Sequence, residues 1–248
     1  MNLITPRRVL LCIQKQLTNV CLLGSAAILT TLLSLHAPLA LAGDLAVPSP
    51  IDKRIQAIDE DYRAGRLLKA QKAYEKYAKL GYAWAQYNLA AMHIQDEVTN
   101  PQPALARRYL ELAAAKGFAQ AQYKLGQSYE SGQLHPKNLG NAAKYYALAA
   151  EQDHLEAQIE YATALYLGRG IPVDAAAAGK WYLKAARAGE RDAQTLVARM
   201  FETGDGFTKD DRMARYWYQT AAKSGDLPSQ AKMFAYEAED RKFAPAAQ

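Results

Sequence analysis

The chain has 248 residues, with 30 Lys and Arg against 25 Asp and Glu, a formal net charge of +5. Its two cysteines, Cys12 and Cys21, both lie near the N-terminus. So few, so placed, they exclude a disulfide-held fold, and the near balance of charge implies no stripe for binding polyanions.

The first 42 residues read as a signal segment. Arg7, Arg8 and Lys15 are the only charges before Asp44, and an uncharged stretch centred on Val20 to Leu35 follows them. Pro38 ends the apolar run, and Ala40-Leu41-Ala42 offers an A-x-A cleavage site before Gly43. This pattern predicts a secretory signal peptide cut after Ala42, with the rest of the chain periplasmic or secreted. The uncharged run from Gln16 to Gly43 is also long enough to cross a bilayer, so an uncleaved anchor is the alternative. Basic residues precede it, so either way the remainder ends up across the membrane. Lipoprotein processing is excluded, because no cysteine follows Ala42-Gly43. Cleavage leaves 206 residues without cysteine, held by packing alone. Loss of Arg7, Arg8 and Lys15 leaves 27 basic residues against 25 acidic ones, a net charge of +2. No nucleic-acid partner is expected at that balance.

A short linker is expected at 43–50, then a capping repeat at 51–84. Its two helices fall near Ile51 to Ala64 and Arg66 to Leu80, the second ending on Gly81. From there a fixed period takes over. Ala85-Gln86, Ala121-Gln122, Ala157-Gln158, Ala193-Gln194 and Ser229-Gln230 recur every 36 residues without insertion. Such regularity predicts stacked supersecondary units, here at 85–120, 121–156, 157–192 and 193–228. A lone capping helix is expected at 229–240 and a disordered tail at 241–248.

Each unit reads as two helices. In the second copy Ala121, Leu125 and Tyr129 share one face of the first helix, with Gly126 beside them. Ala90, Ala162 and Ala198 fill the Gly126 position, so a close helix approach is predicted there. The second helices carry Ala106, Tyr109, Leu110, Ala113, Ala114 and their equivalents, up to Ala214, Trp217, Tyr218, Ala221, Ala222. Large rings among alanines make knobs and shallow holes, and Trp181, if buried, anchors its unit, so that truncating it to alanine costs about 3–5 kcal/mol. Gly117, Gly189 and Gly225, with Asp153 in the same phase, should adopt the left-handed helix terminus. Asn138, Asp174 and Asp210 fall where second helices need N-caps, Pro103 fits a first helical position, and Ile171 and Phe207 are placed to plug the core.

The pattern A-x-x-x-L-G-x-x-Y…G-x-G-[IF]-x-x-D…A-x-x-W-Y-x-x-A-A-x-x-G resembles the Sel-one-like repeat (SLR) family, α/α relatives of tetratricopeptide repeats. Residues 157–192 and 193–228 match it best, 121–156 well and 85–120 partly. The resemblance implies an all-α, right-handed superhelical solenoid whose concave face is lined by first helices. It also implies an adaptor that assembles complexes, in bacteria often in the envelope. The implied partner is another envelope or secreted protein, with membrane contact only through the signal segment if it is kept.

No catalytic residue, metal site or cofactor is expected. The Gly-rich loops do not follow strands, so they are not phosphate-binding loops. His93 sits in the position of Tyr129, Leu165 and Phe201 and reads as a core substitute. His154 with Glu156 and Glu160 has the makings of a small cation site, although carboxylates at a helix start favour the dipole in any case. His135 reads as a loop residue. Binding is assigned instead to first-helix positions that vary between copies: Asn88, Ala91 and Gln95; Lys124, Gln127 and Ser131; Glu160, Thr163 and Leu167; Leu196, Arg199 and Thr203. The expected function is a non-catalytic scaffold binding another protein through this face. The alternative is a cell-wall glycan or peptidoglycan binder with weak hydrolase activity, which aromatic rings exposed on the same face, such as Tyr87 and Tyr123, would favour. A third possibility is an exported factor acting on host proteins.

Overall fold

The structure is a computed structural model describing residues 50–243. The expected signal segment at 1–42, the linker up to residue 49 and the last five residues lie outside the described part. Among the described residues there are eleven helices and no strand. They are α1 (Pro50–Arg63), α2 (Leu67–Lys79), α3 (Ala83–Ile94), α4 (Pro103–Ala115), α5 (Ala119–Ser131), α6 (Leu139–Ala150), α7 (Leu155–Leu167), α8 (Ala175–Arg187), α9 (Arg191–Thr203), α10 (Asp211–Lys223) and α11 (Leu227–Phe243). The described residues divide into two compact units, one up to Ala70 and one from Gln71 onward, with the division inside α2.

In the first unit Asp61, nearly buried at the end of α1, accepts hydrogen bonds from Arg66 Nε at 2.8 Å and Lys69 Nζ at 3.2 Å. These cations hold its carboxyl below its ordinary pKa.

The second unit is a stack. Helices α3 and α4, α5 and α6, α7 and α8, and α9 and α10 pack as hairpins, and each second helix packs on the next first helix, ending with α10 on α11. A single side chain stitches each junction. Gln86, Gln122, Gln158, Gln194 and Gln230 donate from Nε2 to the carbonyls of Ala78, Ala114, Ala150, Ala186 and Ala222, at 3.2–3.4 Å. Each acceptor lies in the last turn of the preceding second helix, where carbonyls lack helical partners. The residue after that turn is left-handed in every copy: Gly81, Gly117, Asp153, Gly189 and Gly225. Its N–H donates to the same alanine carbonyl that the glutamine reaches. The alanine before each glutamine, from Ala85 to Ala193, is fully buried and so leaves no room for a longer side chain. This shared cap explains why the Ala-Gln pair keeps an unbroken 36-residue period.

The loops inside the hairpins are equally regular. Oδ1 of Asn138 accepts from the Asn141 N–H at 2.9 Å, and that of Asp174 from the Ala177 N–H at 2.8 Å. Asp210 Oδ1 accepts from the Arg212 and Met213 N–H groups. These are the expected N-caps, and Pro103 occupies the start of α4 as expected. Phe207 stacks on Phe201 with centroids 4.3 Å apart, and Ile171 packs on the same cluster. Gly126 carries the close approach predicted for it: a methyl group there would lie 2.6 Å from the Tyr146 ring. Gly170, with φ of +79°, lies against the backbone of Leu139 and Gly140 at the start of the preceding second helix, where a Cβ has no space.

Two expectations need correction. Trp181 is only half-buried, and its equivalent Trp217, 5% exposed, is the anchor instead. The consistently buried large side chain is the next one, Leu110, Tyr146, Tyr182 or Tyr218. The terminal helix α11 runs through Phe243 and so takes in three residues assigned to the tail.

Candidate functional site

The variable first-helix positions are distributed over α3, α5, α7 and α9. Lys124, Gln127, Glu160 and Thr163 are half-buried there, and Arg199 is exposed. Lys124 Nζ donates to Gln127 Oε1 at 3.3 Å, and Gln127 Nε2 donates to the Tyr123 hydroxyl at 2.9 Å. Thr163 Oγ1 shares a 2.8 Å hydrogen bond with the Tyr182 hydroxyl. Glu160 raises the hydroxyl pKa of Tyr123, Tyr146 and Tyr182, and Arg199 lowers those of Tyr182 and Tyr218, though burial is the larger influence on all four rings. Both charges therefore act on one row of tyrosines.

Four of the expected residues fall outside this row. Gln95 and Thr203 stand at the C-terminal ends of α3 and α9 and are exposed. Thr203 Oγ1 donates to the Arg199 carbonyl at 3.0 Å and so serves its own helix end. Ser131 and Leu167 share that phase and are exposed as well. Asn88 is half-buried on α3, and Ala91 lies one turn beyond it. A spacing of seven residues from the middle of a thirteen-residue helix runs off its end, which is why this phase reaches the caps.

The sequence reading missed the tyrosine hydroxyls and their acids. Tyr146 donates to Glu130 Oε2 at 2.7 Å, and Tyr218 donates to Glu202 Oε2 at 2.8 Å. The two pairs have the same 16-residue separation, two repeats apart. In the repeat between them Tyr166 stands in the glutamate position, bonds Asp205, and leaves Tyr182 to Thr163. Arg169 pairs with Glu130, and Lys232 of α11 pairs with Glu202 at 2.6 Å. Burial alone raises the Glu202 carboxyl, but Lys232 and the hydroxyls of Tyr218 and Tyr236 outweigh it and hold the pKa low. Reading the second-helix rings as packing knobs hid this, although the acids sit at a fixed offset of 16.

At the end of the row, Thr195, Leu196, Arg199, Tyr218, Pro228 and Lys232 line a cavity of about 240 Å³. Tyr87 and Tyr123 are not exposed platforms. Tyr87 packs on Phe118 at 5.4 Å, and Tyr123 lies between Tyr146 at 5.7 Å and His154 at 4.6 Å. Both rings are half-buried.

The histidines are structural. His93 is buried and its Nδ1 accepts from the Gln102 N–H at 3.2 Å, replacing the backbone carbonyl that Tyr129, Leu165 and Phe201 offer in later loops. His154 is the N-cap of α7, its Nδ1 accepting from the Ala157 N–H at 3.3 Å. Burial pushes its pKa down against the opposing influence of Glu156. Among the described residues no group of three or more metal-ligating side chains forms. His135 lies in its loop but is buried: Nδ1 is 2.9 Å from Ser128 Oγ and Nε2 is 2.9 Å from Glu111 Oε1. The connectivity is that of a serine–histidine–acid relay. Yet Ser128 is only 4% exposed, and its Oγ also accepts the Leu134 N–H at 3.3 Å. The relay ties α4 to α5 and its loop and presents no accessible nucleophile.

The Sel1 repeat profile matches residues 85–118, 119–154, 155–190 and 191–226, and the chain belongs to the Sel1 repeat family. Sel1 repeats are typically protein–protein interaction scaffolds and generally non-catalytic. Among solved structures the chain is similar to a Sel1 repeat protein of Oxalobacter formigenes, with 28% identity over 72% of this chain and 73% of that one and a TM-score of 0.68. It is also similar to a protective antigen of uropathogenic Escherichia coli with an SLR fold, with 31% identity over 64% of this chain and a TM-score of 0.61. The match spans 34% of the antigen's length. A search of the curated proteins finds no match.

Proposed function

We propose that this protein is a non-catalytic scaffold that holds a segment of another envelope or secreted protein along the first-helix face of its Sel1 repeats. The observation that carries the reading is the pair Lys124 and Glu160. Both are half-buried, and neither has an ion pair among the described residues. Burial pushes the Lys124 ammonium pKa down and the Glu160 carboxyl pKa up. Partial desolvation of an unpaired charge costs stability, which a complementary partner recovers on binding. A periplasmic or secreted site of action follows from the signal pattern at 1–42. Among the described residues no helix is long and apolar enough to cross a membrane.

The test combines Lys124→Glu with Arg199→Glu and measures partner capture after crosslinking in living cells. Loss of capture at unchanged helical content supports the reading; capture equal to the unaltered protein contradicts it.

A further inference from the structure

The charges on the first-helix face fall into two sets. Glu130 is satisfied by Arg169 and Tyr146, and Glu202 by Lys232 and Tyr218. Lys124, Glu160 and Arg199 have no ion pair among the described residues. They come from three successive first helices, α5, α7 and α9, and their signs run positive, negative, positive. Lys124 and Glu160 stand in identical repeat phase, and Arg199 lies one helical turn on, beside Leu196 of that phase. Arg199 also opens onto the cavity of about 240 Å³, whose walls include Leu196, Tyr218 and Pro228.

Helices packed side by side lie about 8–10 Å apart, and an extended chain advances about 3.3 Å per residue. Successive first helices pack on the second helix between them rather than on one another, so an extended segment crossing the stack meets a new first helix at intervals of no fewer than about three residues. Building on the groove reading above, we infer that the occupant is an extended protein segment with an acid, a base and an acid at intervals of about three residues or more, the first acid meeting Lys124, the base meeting Glu160 and the second acid entering the cavity lined by Arg199. The unpaired Glu160 disfavours a uniformly acidic segment, since a second carboxylate beside it is repelled. The partly desolvated setting strengthens each pair relative to one in bulk water.

The experiment uses the full chain and two dye-labelled peptides, Gly-Asp-Gly-Ser-Lys-Gly-Ser-Asp-Gly and its charge-reversed form Gly-Lys-Gly-Ser-Asp-Gly-Ser-Lys-Gly, each also made with one further Gly-Ser pair between successive charges, followed by fluorescence anisotropy at low and physiological salt. The first peptide is expected to bind at least tenfold more tightly than the second at one spacing or the other. The triple variant Lys124→Glu, Glu160→Lys, Arg199→Glu is expected to invert that preference while keeping its circular dichroism spectrum. Equal binding of the two peptides at both spacings, binding of neither, or an unaltered preference in the triple variant overturns the charge order. Should that happen while the double reversal still abolishes partner capture, the groove reading stands and the charge order alone is lost.

Discussion

Gln120 and Gln122 are two residues apart and both nearly buried, yet their side chains meet opposite fates. Gln122 Nε2 caps the Ala114 carbonyl, and its Oε1 accepts from Gln152 Nε2 at 2.6 Å. Neither amide atom of Gln120 has a partner among the described residues. Stranding a buried polar group costs about 1–3 kcal/mol, and removing an unsatisfied one returns it. Gln122→Met is therefore expected to destabilise by about 1–3 kcal/mol, and Gln120→Met to leave stability unchanged or raise it, both read from urea unfolding. Equal losses for the two would show that the period-fixing glutamine is only a space-filler. His154 gives a pH test at the same scale. Its folded pKa lies below the unfolded value of about 6.5, so below that pH the unfolded chain takes up a proton that the fold resists. Stability then falls as pH drops from about 6.5 towards the folded value. His154→Asn keeps an N-cap acceptor without the titration and should flatten the loss in urea midpoint between pH 7 and pH 5. His93, also depressed by burial, retains its own share, and Glu160, raised by burial, contributes in the opposite direction in both proteins. An identical pH slope in the variant would remove His154 from the account.

Each helix hairpin depends on its neighbours, because the glutamine caps and the alanine-lined seams lie between units rather than within them. Nearest-neighbour coupling of identical period predicts that removing residues 157–192 splices α6 to α9 in phase. That protein should fold with the same helical content per residue and a lower melting temperature, whereas removing only α8 should abolish cooperative melting. Circular dichroism melts distinguish the two. The hairpins were legible in the sequence because they rest on local rules: Asn138 and Asp174 as caps, Gly117 as a left-handed terminus, and Gly126 where Tyr146 closes in. Burial of individual rings was less legible. Trp181 and Trp217 share one repeat phase, but only Trp217 is nearly buried, and repeat phase alone does not rank them. His135 escaped for a related reason. Its partners Glu111 and Ser128 lie 24 and 7 residues away, at offsets the other copies do not share.

For the whole molecule, the first-helix face combines a rigid, internally bonded row of tyrosines with three charges left over. The variable positions led to Lys124, Gln127, Glu160, Thr163 and Arg199, because a residue that changes between copies is not needed by the stack. They did not reveal which acids are already neutralised, since Glu130 and Glu202 acquire their cationic partners through inter-repeat contacts with Arg169 and Lys232. Keeping Glu160 charged and half-buried lowers stability, so Glu160→Gln is expected to raise the urea midpoint while weakening capture of the partner, the signature of a residue retained for binding. The most direct measurement places a photo-crosslinking amino acid at Gln127 or Thr163, on the first-helix face, and at Lys144 or Lys180, exposed on second helices, and illuminates cells producing each full-length protein. A discrete crosslinked protein species from Gln127 and Thr163, absent from Lys144 and Lys180, is the predicted result; crosslinks from the second-helix positions alone would contradict it.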